Sequence, residues 1–143
     1  MKMQKVIVLN RKQARELTYN DFSLNRVIIS ISSQWDNPPV FNSQNHSIRE
    51  VCYCNFDDEE VGENIMTDRD AEKIANFAKK WWDKCDQIVV HCDAGVSRSA
   101  GVAGAILKHF TGSDAQIFYD WFYVPNMLCY RKVLNALHKL EEE

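Results

Sequence analysis

Cys92 stands six residues ahead of Arg98, with Gly95 midway and Ser99 directly after the arginine. A thiol attacks as its thiolate, and backbone N–H groups together with a helix N-terminus favour that form. The planar guanidinium of Arg98 suits two oxygens of one phosphoryl group. Gly95 removes a side chain where a tight loop needs unusual dihedrals. Ser99 brings a hydroxyl near the sulfur, and His91 can fix the loop by bonding a backbone group from the strand end. The chemistry open to this set is attack of sulfur on phosphorus. Asp93, Ala94, Gly95, Val96, Ser97 and Arg98 would then surround the oxygens.

Two elements must hold that loop. The apolar residues Ile88 to Val90 read as the end of a buried strand, Gln87 to His91, central and parallel. A hydrophobic helix pattern runs from Ser99 to about Phe110. Strand, tight loop and helix together present backbone N–H groups to an anion.

His91, Cys92, Arg98 and Ser99 fill the pattern His-Cys, five residues, Arg, Ser/Thr, with Gly95 at the glycine position. In this the chain resembles the cysteine-dependent protein tyrosine phosphatase superfamily. The run Gly95-Val96-Ser97-Arg98-Ser99 resembles its small dual-specificity branch most. The resemblance implies an α/β phosphatase-like fold over roughly Lys5 to Leu140, a phosphocysteine intermediate and no cofactor. No metal is required, because Arg98 and the loop amides supply the positive field.

Such a reaction needs a general acid for the leaving oxygen. The acid-rich stretch Asn55-Phe56-Asp57-Asp58-Glu59-Glu60 offers Asp57 or Asp58, with Glu59, Glu60 and Asp68 as further carboxylates. The family carries its acid about thirty residues before the cysteine, and several small members read Phe-Asp-Asp there with the second aspartate as acid. The resemblance therefore implies Asp58, with Asp57 as the alternative. The same carboxylate would activate water in the second step while Ser99 stabilises the departing thiolate.

The remaining elements follow in chain order. Lys5 to Leu9 and Arg26 to Ser32 are β-branched strands. Arg11 to Leu17 is a short helix or turn that Asn10 can cap. Ser33 to Ser47 is a loop whose Trp35 and Phe41 cover the core edge or line the site wall. Ser47 to Phe56 is mostly a third strand. Thr67 to Cys85 is a helix with Thr67 and Asp70 as a capping box, and Trp81 and Trp82 pack on it. Gly112 ends the helix after the cysteine loop, and Ser113 caps a short helix from Asp114 to Phe122. Pro125 starts a last helix to about Leu140. The expected fold is a single α/β domain over residues 1–143, a central twisted, partly parallel sheet flanked by helices.

The 143 residues are 45% hydrophobic and 26% charged, with net charge −3, which fits one globular core. That charge gives no reason to expect nucleic acid or an anionic membrane, and no apolar run is long enough for a membrane span. Five cysteines in no framework, without a signal peptide, read as a reduced, cytoplasmic setting. Cys52, Cys54, Cys85 and Cys129 are core residues by default. Cys52 or Cys54 would be a disulfide partner for oxidised Cys92 if the third strand neighbours the active strand. Cys52, Cys54 and His46 lack the second pair that a zinc site needs.

The expected substrate is a phosphorylated protein or peptide, on phosphotyrosine and on phosphoserine or phosphothreonine. Lysines are absent from the loop, which argues against a polyphosphorylated lipid headgroup. Three alternatives compete. A non-catalytic phosphate-binding module would share the loop. A rhodanese-like sulfur transferase would have a shorter cysteine-to-arginine spacing. An RNA 5′-phosphatase would need Arg11, Lys12, Arg15 and Arg26 to converge into a basic track.

Overall fold

The computed structural model describes residues 3–142. Four β-branched or apolar runs form a sheet in the order β1 (Val6–Leu9), β4 (Gln87–His91), β2 (Arg26–Ser32), β3 (Ile48–Asn55). All three pairings among the described residues are parallel, in line with the expected sheet. Parallel sheets need both faces covered, and the central strands β2 and β4 are buried at every position.

Side-chain alternation sorts the two faces. Val27, Ile29, Ile31, Ile88 and Val90 join the main core with helices α2 (Asp68–Trp81), α3 (Arg98–Thr111) and α5 (Met127–Glu141). Ile28, Ser30, Val89 and His91 are buried on the opposite face. That face is covered by α1 (Arg11–Asn20), through Ala14 and Thr18, and by residues 33–47. Asn42 and Asn45 donate to the Thr18 carbonyl, and Phe41 packs edge-on to His91 at 5.9 Å.

The expected caps form. Asn10 and Gln13 make a capping box on α1, and Thr67 and Asp70 make one on α2. Several boundaries shift. α1 runs on to Asn20, and α2 gives way to turns after Trp81, short of Cys85. α3 begins at Arg98, one residue earlier than the pattern indicates. The short helix α4 covers only Ala115–Phe118, although the Ser113 hydroxyl does accept from the Ala115 N–H. Pro125 lies outside α5. Asn126 is the cap instead, its side chain accepting from the Cys129 N–H.

Two further expectations are corrected. β2 lies between β3 and β4, so Cys52 and Cys54 are not on a strand beside the active strand. Trp35 is 88% exposed and covers no core edge, whereas Phe41 packs as expected. Beyond α4, Trp121 is 95% exposed and Tyr119 88%. Trp81 and Trp82 pack on the core, Trp82 stacking on Phe110 at 4.5 Å. No helix among the described residues is long and apolar enough to cross a membrane.

Candidate active site

The loop from Cys92 to Ser97 leaves the carboxyl end of β4, where open parallel sheets place ligands. Four of its six carbonyls are tied down. The Cys92 carbonyl meets His91 Nδ1 at 3.1 Å, and the Asp93 carbonyl accepts from the Arg11 N–H at 3.1 Å. The Val96 carbonyl accepts from Val124 and the Ser97 carbonyl from Asn126, both at 3.0 Å. The N–H groups from Ala94 to Arg98 donate to no protein acceptor among the described residues. A loop with four carbonyls bonded away and its amides free has the arrangement of an anion cradle.

Gly95 makes that curvature possible. Its φ is +70°, and a Cβ there would lie 2.7 Å from the Asn10 nitrogen and from the Leu9 carbonyl carbon. The cradle is therefore seated on the β1–α1 junction.

Cys92 is only 2% exposed. It sits on the buried floor of the loop rather than at its mouth, because its side chain follows Ile88 and Val90 onto the core face. Its Sγ lies 3.0 Å from the Ser99 Oγ. His91 points to the other face, between Cys92 and Ser30, whose Oγ is 2.6 Å from its Nε2. Burial pushes the imidazole below the ordinary histidine range. The neutral ring then donates from Nδ1 to the Cys92 carbonyl and accepts from Ser30 at Nε2.

Arg98 is held by its outer nitrogens. Nη1 donates to the Phe56 carbonyl at 2.8 Å and to the Ser33 hydroxyl at 2.9 Å; Nη2 meets Asp93 Oδ2 at 3.2 Å. Nε makes no hydrogen bond to a described residue and is not sealed from solvent. The Asp93 carboxylate is thereby drawn to the rim between Arg98 and Arg11, and away from the sulfur.

The acidic loop divides its carboxylates. Asp58 reaches the cradle, where its Oδ1 accepts from the Ser97 hydroxyl at 2.8 Å and from the Asn126 amide at 3.0 Å. Asp57 turns aside to accept from the Gln34 N–H at 2.9 Å. Glu60 pairs with Arg131 and Asp68 with Lys132. Glu59 contributes its carbonyl to the Asn126 amide, at 3.4 Å.

Cys129 is buried behind the site, and its thiol is pushed up to about 12, chiefly by burial and then by the nearby Asp58 charge. It is a packing residue that stays a thiol. No group of three His, Cys, Asp or Glu among the described residues is arranged to hold a metal. The four arginine and lysine positions of a basic track do not all converge. Arg26 is buried and paired with Asp21 and Gln87, away from Arg11, Lys12 and Arg15.

Asn126 and Ser33 are the site residues that sequence reasoning misses. A cap signal existed for Asn126, but the adjoining Pro125 drew the helix start to itself. Nothing local marks Ser33.

No family model and no curated protein matches the sequence. Solved structures do. A human tyrosine phosphatase-like serine/threonine/tyrosine-interacting protein aligns over 96% of this chain and 91% of its own, with TM-score 0.64 and 19% identity. Human DUSP28 aligns over 96% and 94%, with TM-score 0.63 and 16% identity. A mouse putative dual specificity phosphatase, complexed with zinc tungstate, aligns over 96% and 85%, with TM-score 0.64 and 14% identity. The chain thus aligns with these structures over most of their length, and it has the fold of the tyrosine and dual-specificity phosphatases.

Proposed function

We propose that the chain is a cysteine-dependent phosphomonoester hydrolase acting on phosphotyrosine, and on phosphoserine or phosphothreonine, in a protein or peptide. The observation that carries this reading is the run of unpaired loop amides beside Cys92, with four loop carbonyls bonded elsewhere and Arg98 at its edge. Such preorganised donors favour a thiolate and a trigonal bipyramidal phosphoryl group alike.

In the first step the Cys92 thiolate attacks phosphorus in line, and the phosphorus–oxygen bond to the substrate breaks. Asp58, protonated, gives its proton to the departing oxygen. Arg98 Nε and Nη2 and the loop N–H groups hold the three equatorial oxygens; Asp93 gives up Nη2 as the phosphoryl group arrives. In the second step water attacks the phosphocysteine, its proton passes to the Asp58 carboxylate, and sulfur leaves as thiolate. The Ser99 hydroxyl, 3.0 Å from that sulfur, donates to it as charge returns. His91 positions the loop and moves no proton in this scheme.

Hydrolysis of a chromogenic aryl phosphate tests the reading. Wild type should turn it over, and Cys92→Ser should fall to background while still binding inorganic phosphate. Full activity in that variant would remove Cys92 from the chemistry.

A second reading is a phosphate-binding module without turnover. It is favoured by Asp58 being already engaged by two donors, Ser97 and Asn126. One structural neighbour also carries the name of an interacting protein. Tight phosphopeptide binding by wild type with no hydrolysis would select it.

A further inference from the structure

Arg11, Lys12 and Arg15 occupy the first turns of α1, with Arg11 and Arg15 one helical turn apart on the same side. All three line an open cavity of about 580 Å³ whose other walls include Pro38, Pro39, Val40 and Asp93. Asp93 follows Cys92 directly, so the cavity adjoins the phosphate cradle. Its carboxylate is shared by two guanidinium groups, with Arg98 Nη2 at 3.2 Å from Oδ2 and Arg11 Nη1 at 4.0 Å from Oδ1.

The local charge does not cancel. With a phosphate in the cradle Asp93 is left to balance Arg11, and Lys12 and Arg15 bring two further positive charges to the cavity. Arg11 also donates to the Asn37 carbonyl and, at 3.5 Å, to the Ser32 hydroxyl, which holds it at the cavity wall. Lys12 faces Glu16 at 3.8 Å, but both are largely exposed and that pair is weakly held. Arg15 lies 5.0 Å over the Tyr19 ring and has no carboxylate partner among the described residues. A cationic wall facing two prolines and a valine, on a chain of net charge −3, selects an anion carried on an organic backbone.

We propose that this cavity is a second anion subsite, taking a carboxylate or a second phosphoryl group on a residue flanking the phosphoresidue of a protein substrate. The proposal rests on the phosphatase reading for its first phosphate. The cationic face is one helix side and goes no further, because Arg26 is buried in its own ion pair and cannot extend it into a nucleic-acid track.

The test uses matched phosphotyrosine peptides with a neutral flank, a glutamate flank or a phosphoserine flank, on either side. The readout is kcat/KM for wild type and for the double variant Lys12→Gln, Arg15→Gln. Wild type should prefer one anionic flank by about tenfold, the effect of one charge-assisted hydrogen bond. The preference should sit in KM, shrink with added salt and vanish in the double variant. No preference in wild type, or the same preference in the variant, overturns the proposal. Faster turnover of a 5′-diphosphate oligoribonucleotide or an inositol bisphosphate than of every peptide overturns the peptide assignment. Should no substrate be hydrolysed, the phosphatase reading fails by itself. Kd values for the same peptides then decide the subsite, tighter binding of the anionic flank supporting it and equal binding refuting it.

Discussion

Asn126 donates its side-chain amide to Asp58 Oδ1 at 3.0 Å while its own carbonyl oxygen accepts from the Cys129 N–H at 3.1 Å. One side chain thus starts α5 and anchors the carboxylate proposed as general acid. Asn126→Ala should lose about 1 kcal/mol of stability through the cap. It should also lower kcat on alkyl phosphates, because Asp58 is no longer held over the cradle. Asn126→Asp keeps the cap but sets a second carboxylate against the first. The amide donor to Asp58 is then gone while the helix start remains, so kcat on alkyl phosphates should fall in this variant without the loss of stability. Unchanged kcat in both variants would show that Asn126 serves only the helix.

Replacing the proposed acid itself separates leaving groups. Asp58→Asn should reduce kcat on alkyl phosphomonoesters by about 10²- to 10⁴-fold, the usual worth of a positioned proton donor. The loss should be much smaller on an aryl phosphate whose phenolate leaves without help. Asp57→Asn serves as the comparison, since Asp57 is bonded to Gln34 and not to the cradle loop. A larger loss for Asp57→Asn than for Asp58→Asn would exchange their roles.

The local signals in the chain were legible, and those that depended on distant partners were not. The Asn10 cap and the Thr67–Asp70 box bond to groups three residues on, so local spacing exposes them. The motif around Cys92 is equally local. Strand order is different. Whether β3 lies beside β4 or beyond β2 is decided by a crossover through residues 33–47, which have no periodicity to read, so only the strand order separates Cys52 and Cys54 from the active strand. The segment after α4 shows a second failure. Ile117, Phe118, Trp121 and Phe122 repeat at helical spacing, but the Asp120 side chain accepts from the Phe122 N–H at 3.0 Å and offers the backbone a turn instead. Those aromatic rings then stand in solvent beside Val124, which is bonded to the cradle loop.

Gly95→Ala tests the seating of the cradle. The left-handed backbone alone costs about 1–2 kcal/mol for an L-residue. The new methyl would also meet Asn10 and Leu9 backbone atoms at 2.7 Å, which no rotamer change relieves. We expect a lower melting temperature and a loss of phosphate affinity that exceeds the change in global stability. Retained phosphate affinity, measured by competitive inhibition, would show that the loop curvature survives without glycine.

His91 gives the fold a pH dependence of definite sign. Burial depresses its folded-state pKa below the ordinary value of 6.5, so the unfolded chain binds the extra proton first. Its contribution to stability is complete above pH 6.5 and is lost as pH falls from there through the depressed folded value. Asp21 acts later. Hydrogen bonds from Ser23 and Arg26 lower it to about 2, so its contribution is lost as pH falls from 3.8 to about 2. Denaturant midpoints taken between pH 7.5 and 5 should therefore decline in wild type through His91. In His91→Asn that decline should flatten, while the later loss below pH 4 remains. Protonation would also place a second N–H against Ser30 Oγ, whose hydroxyl turns to accept, so Ser30→Ala should steepen the decline by leaving that N–H unpaired. An unchanged slope in His91→Asn would mean that another group carries the proton between those pH values.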